Sequence, residues 1–247
     1  MMINEPVSAH PTRPVRAPVL SQYWRHLLFV HWPVNPAAVA HLMPPDVMPD
    51  VWNGTSWVGL VPFRMERLGL GRGPGLPYFG TFPEVNVRLY SVDRQGRRGV
   101  VFRSLESPRL AAVLAARATL ALPYRWSSTR LAVEGDSYFL ATRARWPSPA
   151  GRTCVLTAHI GPRLPAPGPL ADFLTARWGL HTRVHGRTVY LPTDHPRWPL
   201  HEARIGGLSD HLVRAADIDL HGPPASVLYS PGVPVRFGAW QHVQARA

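Results

Sequence analysis

The chain contains no lysine; all 27 of its basic residues are arginine. No side chain of this protein can therefore supply the primary amine that forms an imine with a carbonyl substrate. A single cysteine, Cys154, excludes an internal disulfide, and the expected compartment is the cytoplasm. No apolar run is long enough to cross a bilayer. The longest, around Leu27 to Trp32, is broken by His31, so no membrane partner is expected. The opening residues, with Arg13 and Arg16, lack the apolar segment of a secretory signal. Asparagine and isoleucine are scarce, at four each, while Pro, Ala, Gly and Arg abound, the drift expected of a GC-rich genome.

What is present describes a core-forming protein. Of the 247 residues, 45% are hydrophobic and 17% charged, a balance that excludes disorder over most of the chain. The formal charge of +12 raises the question of nucleic acid. The arginines, however, come one or two at a time instead of forming a basic helix or tail, so no nucleic-acid partner is expected.

Residues 1–19 hold several prolines without apolar periodicity and read as a flexible leader, with one domain over residues 20–247. Gln22 to Trp32 suggests a first strand. Asn35 and Pro36 then open a short helix to Leu42, Asn as N-cap and Pro with its preset φ. Thr55 to Arg67 reads as a strand and the glycine-rich stretch from Gly69 to Gly80 as a loop. Glu84 to Val92 alternates cleanly and pairs with Val100 to Leu105 as a hairpin. A helix is expected from Ser107 to Ala121, then strands at Arg130–Glu134, Ser137–Trp146 and Thr153–Ile160, and a second helix at Leu170–Trp178. This order is not a βαβ alternation. It predicts an α+β fold, mainly antiparallel β, with a large curved sheet or barrel, a few flanking helices and an interior cavity.

Most motif-like features dissolve on inspection. The segment Gly69 to Gly75 lacks a P-loop lysine, and Pro74 and Pro77 keep a helix from opening behind it. His181, His185, His195 and His201 show no HExxH or matching carboxylate, so no metal is expected; nor is a cofactor. Cys154 reads as a small buried strand residue, and no GxSxG elbow is present. The Glu84 strand is different. Glu84, Asn86, Arg88 and Tyr90 fall on one face, opposite Val85, Val87 and Leu89. That face is either an exposed edge with a Glu84–Arg88 pair or the polar wall of a cavity. In the second case Glu84 acts as acid or base and Arg88 holds a carboxylate.

Several separated motifs resemble a known family. They are Tyr23 to Val34 (YWRHLLFVHWPV), Trp57 to Phe63 (WVGLVPF), Phe82 to Tyr90 (FPEVNVRLY), Val101 to Leu105, and Arg117 with Leu122-Pro-Tyr124. Phe173 to Trp178 and Trp198 to His201 follow in the same order. Together they resemble the YqjF-like family of uncharacterised proteins over residues 20–238, a family similar in fold to acetoacetate decarboxylase. The resemblance implies a double-layered, cone-like β-barrel with a central cavity. It places Arg25 where the decarboxylase has a carboxylate-binding arginine, and Glu84 on one of its glutamates. Tyr124 and Arg125 stand in place of its lysine pair, and its second glutamate has no counterpart. The implied site is thus Glu84 and Tyr124 as acid–base groups, with Arg25, Arg88 and Arg125 binding the ligand. The expected partner is a small anionic or carbonyl-bearing molecule, with oligomeric state left open. The implied functions are an acid–base lyase, hydratase or isomerase, or a non-catalytic binding or sensing protein using the same cavity. Arg125 is expected to lower the Tyr124 pKa.

Overall fold

The computed structural model describes residues 4–147 and 150–244. Long alternating segments rich in Val, Leu and aromatics become strands of one 13-stranded sheet. In chain order these are β1 (Leu20–Val34), β2 (Val47–Pro49), β3 (Ser56–Leu70), β4 (Phe82–Asp93) and β5 (Arg98–Ser107). Then come β6 (Tyr124–Glu134), β7 (Ser137–Trp146), β8 (Thr153–Arg163), β9 (Gly179–Val184) and β10 (Arg187–Asp194). The last are β11 (His201–Asp210), β12 (Ser226–Phe237) and β13 (Gln241–His242). The helices are few: α1 (Pro36–Val39), α2 (Leu110–Leu120) and α3 (Pro169–Thr175). Asn35 caps α1 through a bond from Ala37 N–H, with Pro36 opening the helix as expected. α2 is shorter than the sequence suggests. Its first turn begins beyond Pro108, and Ala121 ends it in the left-handed region at φ 49°.

Strand pairing is antiparallel except where β5 meets β6 and β9. Pairing of β5 with both β4 and β6 closes one ring through β7, β8, β11, β12, β1 and β3. Pairing of β10 with β12 closes a second ring through β9, β5, β4, β3 and β1. Among the strands common to both rings, β4 is buried on both faces and shows why sequence alternation matters. Val85, Val87 and Leu89 enter a core with Leu28, Leu60 and Leu140. The opposite face, with Phe82 and Tyr90, joins a second core with Trp24, Phe63 and Phe173. Burial of this order, about 25 cal/mol per Å² of apolar surface, is what holds the rings closed.

The leader is tied down in its described part. Arg98 Nε donates to Glu5 O at 2.6 Å, Trp178 Nε1 donates to Ser8 O at 3.1 Å, and Val15 is buried. An isolated reading of its prolines does not reveal these partners, which lie far along the chain.

Candidate functional site

Within the second ring lies a cavity of about 510 Å³. One wall comes from β1, β3, β4 and β5, the other from α2 and the 68–80 loop. Space remains there because α2 presents Ala111, Ala112, Ala115 and Ala116 to it, where larger residues would reach the sheet. The lining is overwhelmingly apolar, with Trp24, Phe82, Phe102 and Phe237 among its larger side chains. Its two ionisable groups are Glu84 and Tyr124.

These two meet. The Tyr124 hydroxyl donates to Glu84 Oε2 at 2.8 Å. Register accounts for the encounter: Glu84 is on the cavity face of β4, and β5 runs parallel to β6 with Leu105 opposite Tyr124. Arg117, near the end of α2, fixes the entry to β6 by donating from Nη1 to Tyr124 O at 2.8 Å. Burial pushes the Glu84 pKa up to about 8, although the Tyr124 hydrogen bond opposes the rise. Burial and the neighbouring Glu84 raise the Tyr124 pKa well above its ordinary value. The expected lowering by Arg125 is therefore corrected: the phenol stays protonated. Glu84 is a neutral acid over most of the physiological range, held in apolar surroundings.

The three arginines fare differently. Arg25 is corrected as a cavity residue. Its neighbour Trp24 faces the cavity, so Arg25 points to the other side, half exposed, with Nε 3.7 Å from Glu66. Arg125 is corrected on the same ground. It follows Tyr124 on β6, lies on the reverse face, and has Nε 4.0 Å from the buried Glu106. Burial lifts Glu106 to about 7, opposed by Arg125 and Arg152. Arg88 is buried on the Glu84 face, where its Nη2 donates to Leu174 O at 3.0 Å and to Tyr90 Oη at 3.2 Å. It does not line the large cavity but a small chamber beside it. An exposed-edge reading of this face is excluded, since Glu84, Asn86, Arg88 and Tyr90 are all buried.

Sequence reasoning passed over Gln22, which lines the cavity with an unpartnered Oε1. Alternation with Trp24 along β1 was the available signal. It also missed a buried chain of polar groups: Ser91 Oγ lies 2.9 Å from His181 Nδ1, and His181 Nε2 3.3 Å from Asp93 Oδ2. These groups stand outside the cavity. Burial alone would raise Asp93, but the hydrogen bonds from His181 and Arg97 hold it at about 2, so the cluster anchors the β4–β5 turn. No group of three or more metal-binding side chains occurs among the described residues.

Comparison with known proteins places this architecture. YqjF of Bacillus subtilis (strain 168), an uncharacterized protein, is 29% identical over 185 residues, covering 75% of this chain and 76% of the relative. Acetoacetate decarboxylase from Legionella pneumophila superposes with a TM-score of 0.62 at 13% identity, over 99% of this chain and 92% of the other. The enduracididine biosynthesis enzyme MppR, in complex with pyruvate, gives a TM-score of 0.63 at 12% identity, covering 92% and 91%. These structures establish a shared acetoacetate decarboxylase-like fold. The model of DUF2071, an uncharacterized conserved protein, matches residues 21–234, and the chain belongs to that family.

Proposed function

We propose that this protein binds a small carbonyl compound with an apolar body in the 510 Å³ cavity, and that Glu84 and Tyr124 perform acid–base chemistry on it. The observation that carries the reading is the 2.8 Å Tyr124–Glu84 hydrogen bond inside a largely apolar cavity. A carboxyl group with a pKa near 8 is matched to proton transfer close to neutral pH. In its ionised form Glu84 accepts a proton from the carbon beside the carbonyl. Once Glu84 is protonated, the Tyr124 O–H is free to turn to the carbonyl oxygen, where negative charge develops. Returning the proton to another carbon, or losing a leaving group, gives isomerase, hydratase or lyase chemistry. The absence of lysine removes an imine route and leaves this one. Of the structural neighbours, one is an acetoacetate decarboxylase and another is an enzyme in complex with pyruvate.

A second reading is favoured by the lining itself. No histidine, cysteine or arginine lines the cavity beside the pair, as befits a non-catalytic binding or sensing protein. Deuterium exchange next to the carbonyl of a ketone series, followed by NMR, tests the first reading. Exchange that is fast with wild type and lost in Glu84→Gln supports catalysis. Saturable binding without exchange in wild type overturns catalysis in favour of binding alone.

A further inference from the structure

A small chamber of about 30 Å³ adjoins the main cavity and shares Trp24, Phe102, Leu180 and Phe237 with it as common walls. Its other walls include Arg88, Arg177, Thr193 and His195. Three buried donors on this lining have no hydrogen-bond partner: Arg88 Nε, Arg177 Nη2 and Trp24 Nε1. A buried N–H left unpaired costs on the order of 1–3 kcal/mol, more on a charged group, so three around one small space are unusual.

Charge accounting points the same way. Arg177 Nη1 and Arg98 Nη1 each contact Asp50, on Oδ2 and Oδ1 respectively, both at 2.5 Å. One carboxylate therefore serves two guanidinium groups. Arg88 forms no ion pair with any described residue, and its contacts at Nη2 are a hydroxyl and a carbonyl. A permanently charged, buried guanidinium needs an anion nearby to offset its lost hydration. His195, flanked by the rings of Trp178 and Trp198, has its pKa lowered to about 4 by burial, with Arg88 contributing further. It is neutral at physiological pH, so the positive charge on this lining comes from the two arginines.

We infer that this chamber is an anion subsite that takes the carboxylate end of the ligand, while the ligand's apolar body lies in the main cavity. The volume admits one small polar group and no more, since about 10–15 Å³ of such space already holds a water. The inference rests on the proposed carbonyl-binding role of the cavity and names its substrate class. Arg88 stands four residues beyond Glu84 on the same face of β4, which is roughly 13 Å along a strand. A ligand held at both ends is thus a carboxylic acid of medium length, too long to be acetoacetate or pyruvate. Trp24 and Phe102 are walls of both spaces, so the ligand's chain would run past them.

The test uses the full chain and three probes: octanoate, octanol and acetate, followed by tryptophan fluorescence and calorimetry. Wild type should bind octanoate at least tenfold more tightly than octanol. Arg88→Met should bring that ratio toward one. Competition gives the same answer without a variant, because saturating acetate should weaken octanoate binding several-fold and leave octanol unaffected. If octanol binds as tightly as octanoate, the subsite is overturned while the cavity reading stands. If neither eight-carbon probe binds, the cavity reading fails, and acetate alone decides the subsite. An acetate-induced change in tryptophan emission that is lost in Arg88→Met upholds it, and no change overturns it.

Discussion

The Tyr124 hydroxyl and Glu84 Oε2 lie 2.8 Å apart across 40 residues of sequence, on the wall of a largely apolar cavity. Their proximity determines how each holds its proton. Burial raises both pKa values, the hydrogen bond donated by Tyr124 moderates the rise at Glu84, and the nearby carboxyl adds to the rise at Tyr124. A pair of this kind behaves as a unit in titration and in ligand binding.

The contribution of Glu84 to stability should fall as pH climbs from about 4.5 to about 8. Folded Glu84 keeps its proton to about 8, whereas the unfolded group loses it near 4.5, so the folded state binds more protons within that window. Glu106, raised to about 7 by burial, adds to the slope. Glu84→Gln keeps an acceptor for Tyr124 and removes one of the two contributions. Relative to wild type, its stability should be higher at pH 8 than at pH 4 by on the order of 4 kcal/mol. Urea unfolding at several pH values measures both. Equal pH slopes for variant and wild type would refute the assignment.

Tyr124→Phe retains the ring and deletes one donor. The loss should cost about 1 kcal/mol, typical of one hydrogen bond. Because that bond opposes the elevation of Glu84, the Glu84 titration midpoint should move above about 8. Carbon-labelled glutamate NMR reads the midpoint directly. A midpoint that stays put, or drops, contradicts the pairing.

The legible part of the site was the part set by alternation along a single strand. Glu84, Asn86, Arg88 and Tyr90 do share one buried face, as a period of two dictates. The same period explains the two misplacements. A family resemblance aligns Arg25 and Arg125 by position along the chain, but each follows a residue that faces the cavity, Trp24 and Tyr124, and so points the other way. The left-handed φ of 52° at His26 adds an irregularity just after Arg25 that no residue pattern signals. Arg177 was read as part of a helix reaching Trp178, but α3 ends at Thr175, so helical periodicity does not set the direction of its side chain. The fold class was legible from element order. The closing pair between β10 and β12 was not, since Thr193 and Phe237 are brought together only by the finished sheet.

A carbonyl trap should leave the chain unmodified at internal positions. With no lysine, borohydride treatment in the presence of acetoacetate has only the α-amino group to reduce onto. Intact-mass spectrometry followed by peptide mapping checks this. An adduct mapped within β6 would require a nucleophile other than a lysine amine.

Arg25→Ala should be almost silent. The side chain is half exposed, its partner Glu66 is also accessible, and Tyr23 offers only a stacking contact at 4.6 Å. Exposed pairs of this type contribute about 0–1 kcal/mol. Ligand affinity in the cavity should be unchanged, as measured by calorimetry with octanoate, the probe that carries a carboxylate. A large loss would return Arg25 to the binding site and contradict its outward orientation.

Ala112→Leu separates the cavity from the pair that lines it. Ala112 lies on α2 and faces the cavity, partly buried against the aromatic core. Leucine is close to alanine in helix propensity, so the helix itself should tolerate the change. Three added carbon atoms entering unfilled apolar space should stabilise the fold by about 1 kcal/mol, as cavity filling commonly does. The same atoms occupy ligand volume, so octanol affinity should drop at least tenfold. Glu84 should keep its titration midpoint near 8, because the Tyr124 bond is untouched. Raised stability, weakened binding and an unchanged midpoint together identify the space as the ligand's own. A destabilised variant would instead mean that α2 packs against the sheet in solution, and that the cavity is closed in the free protein.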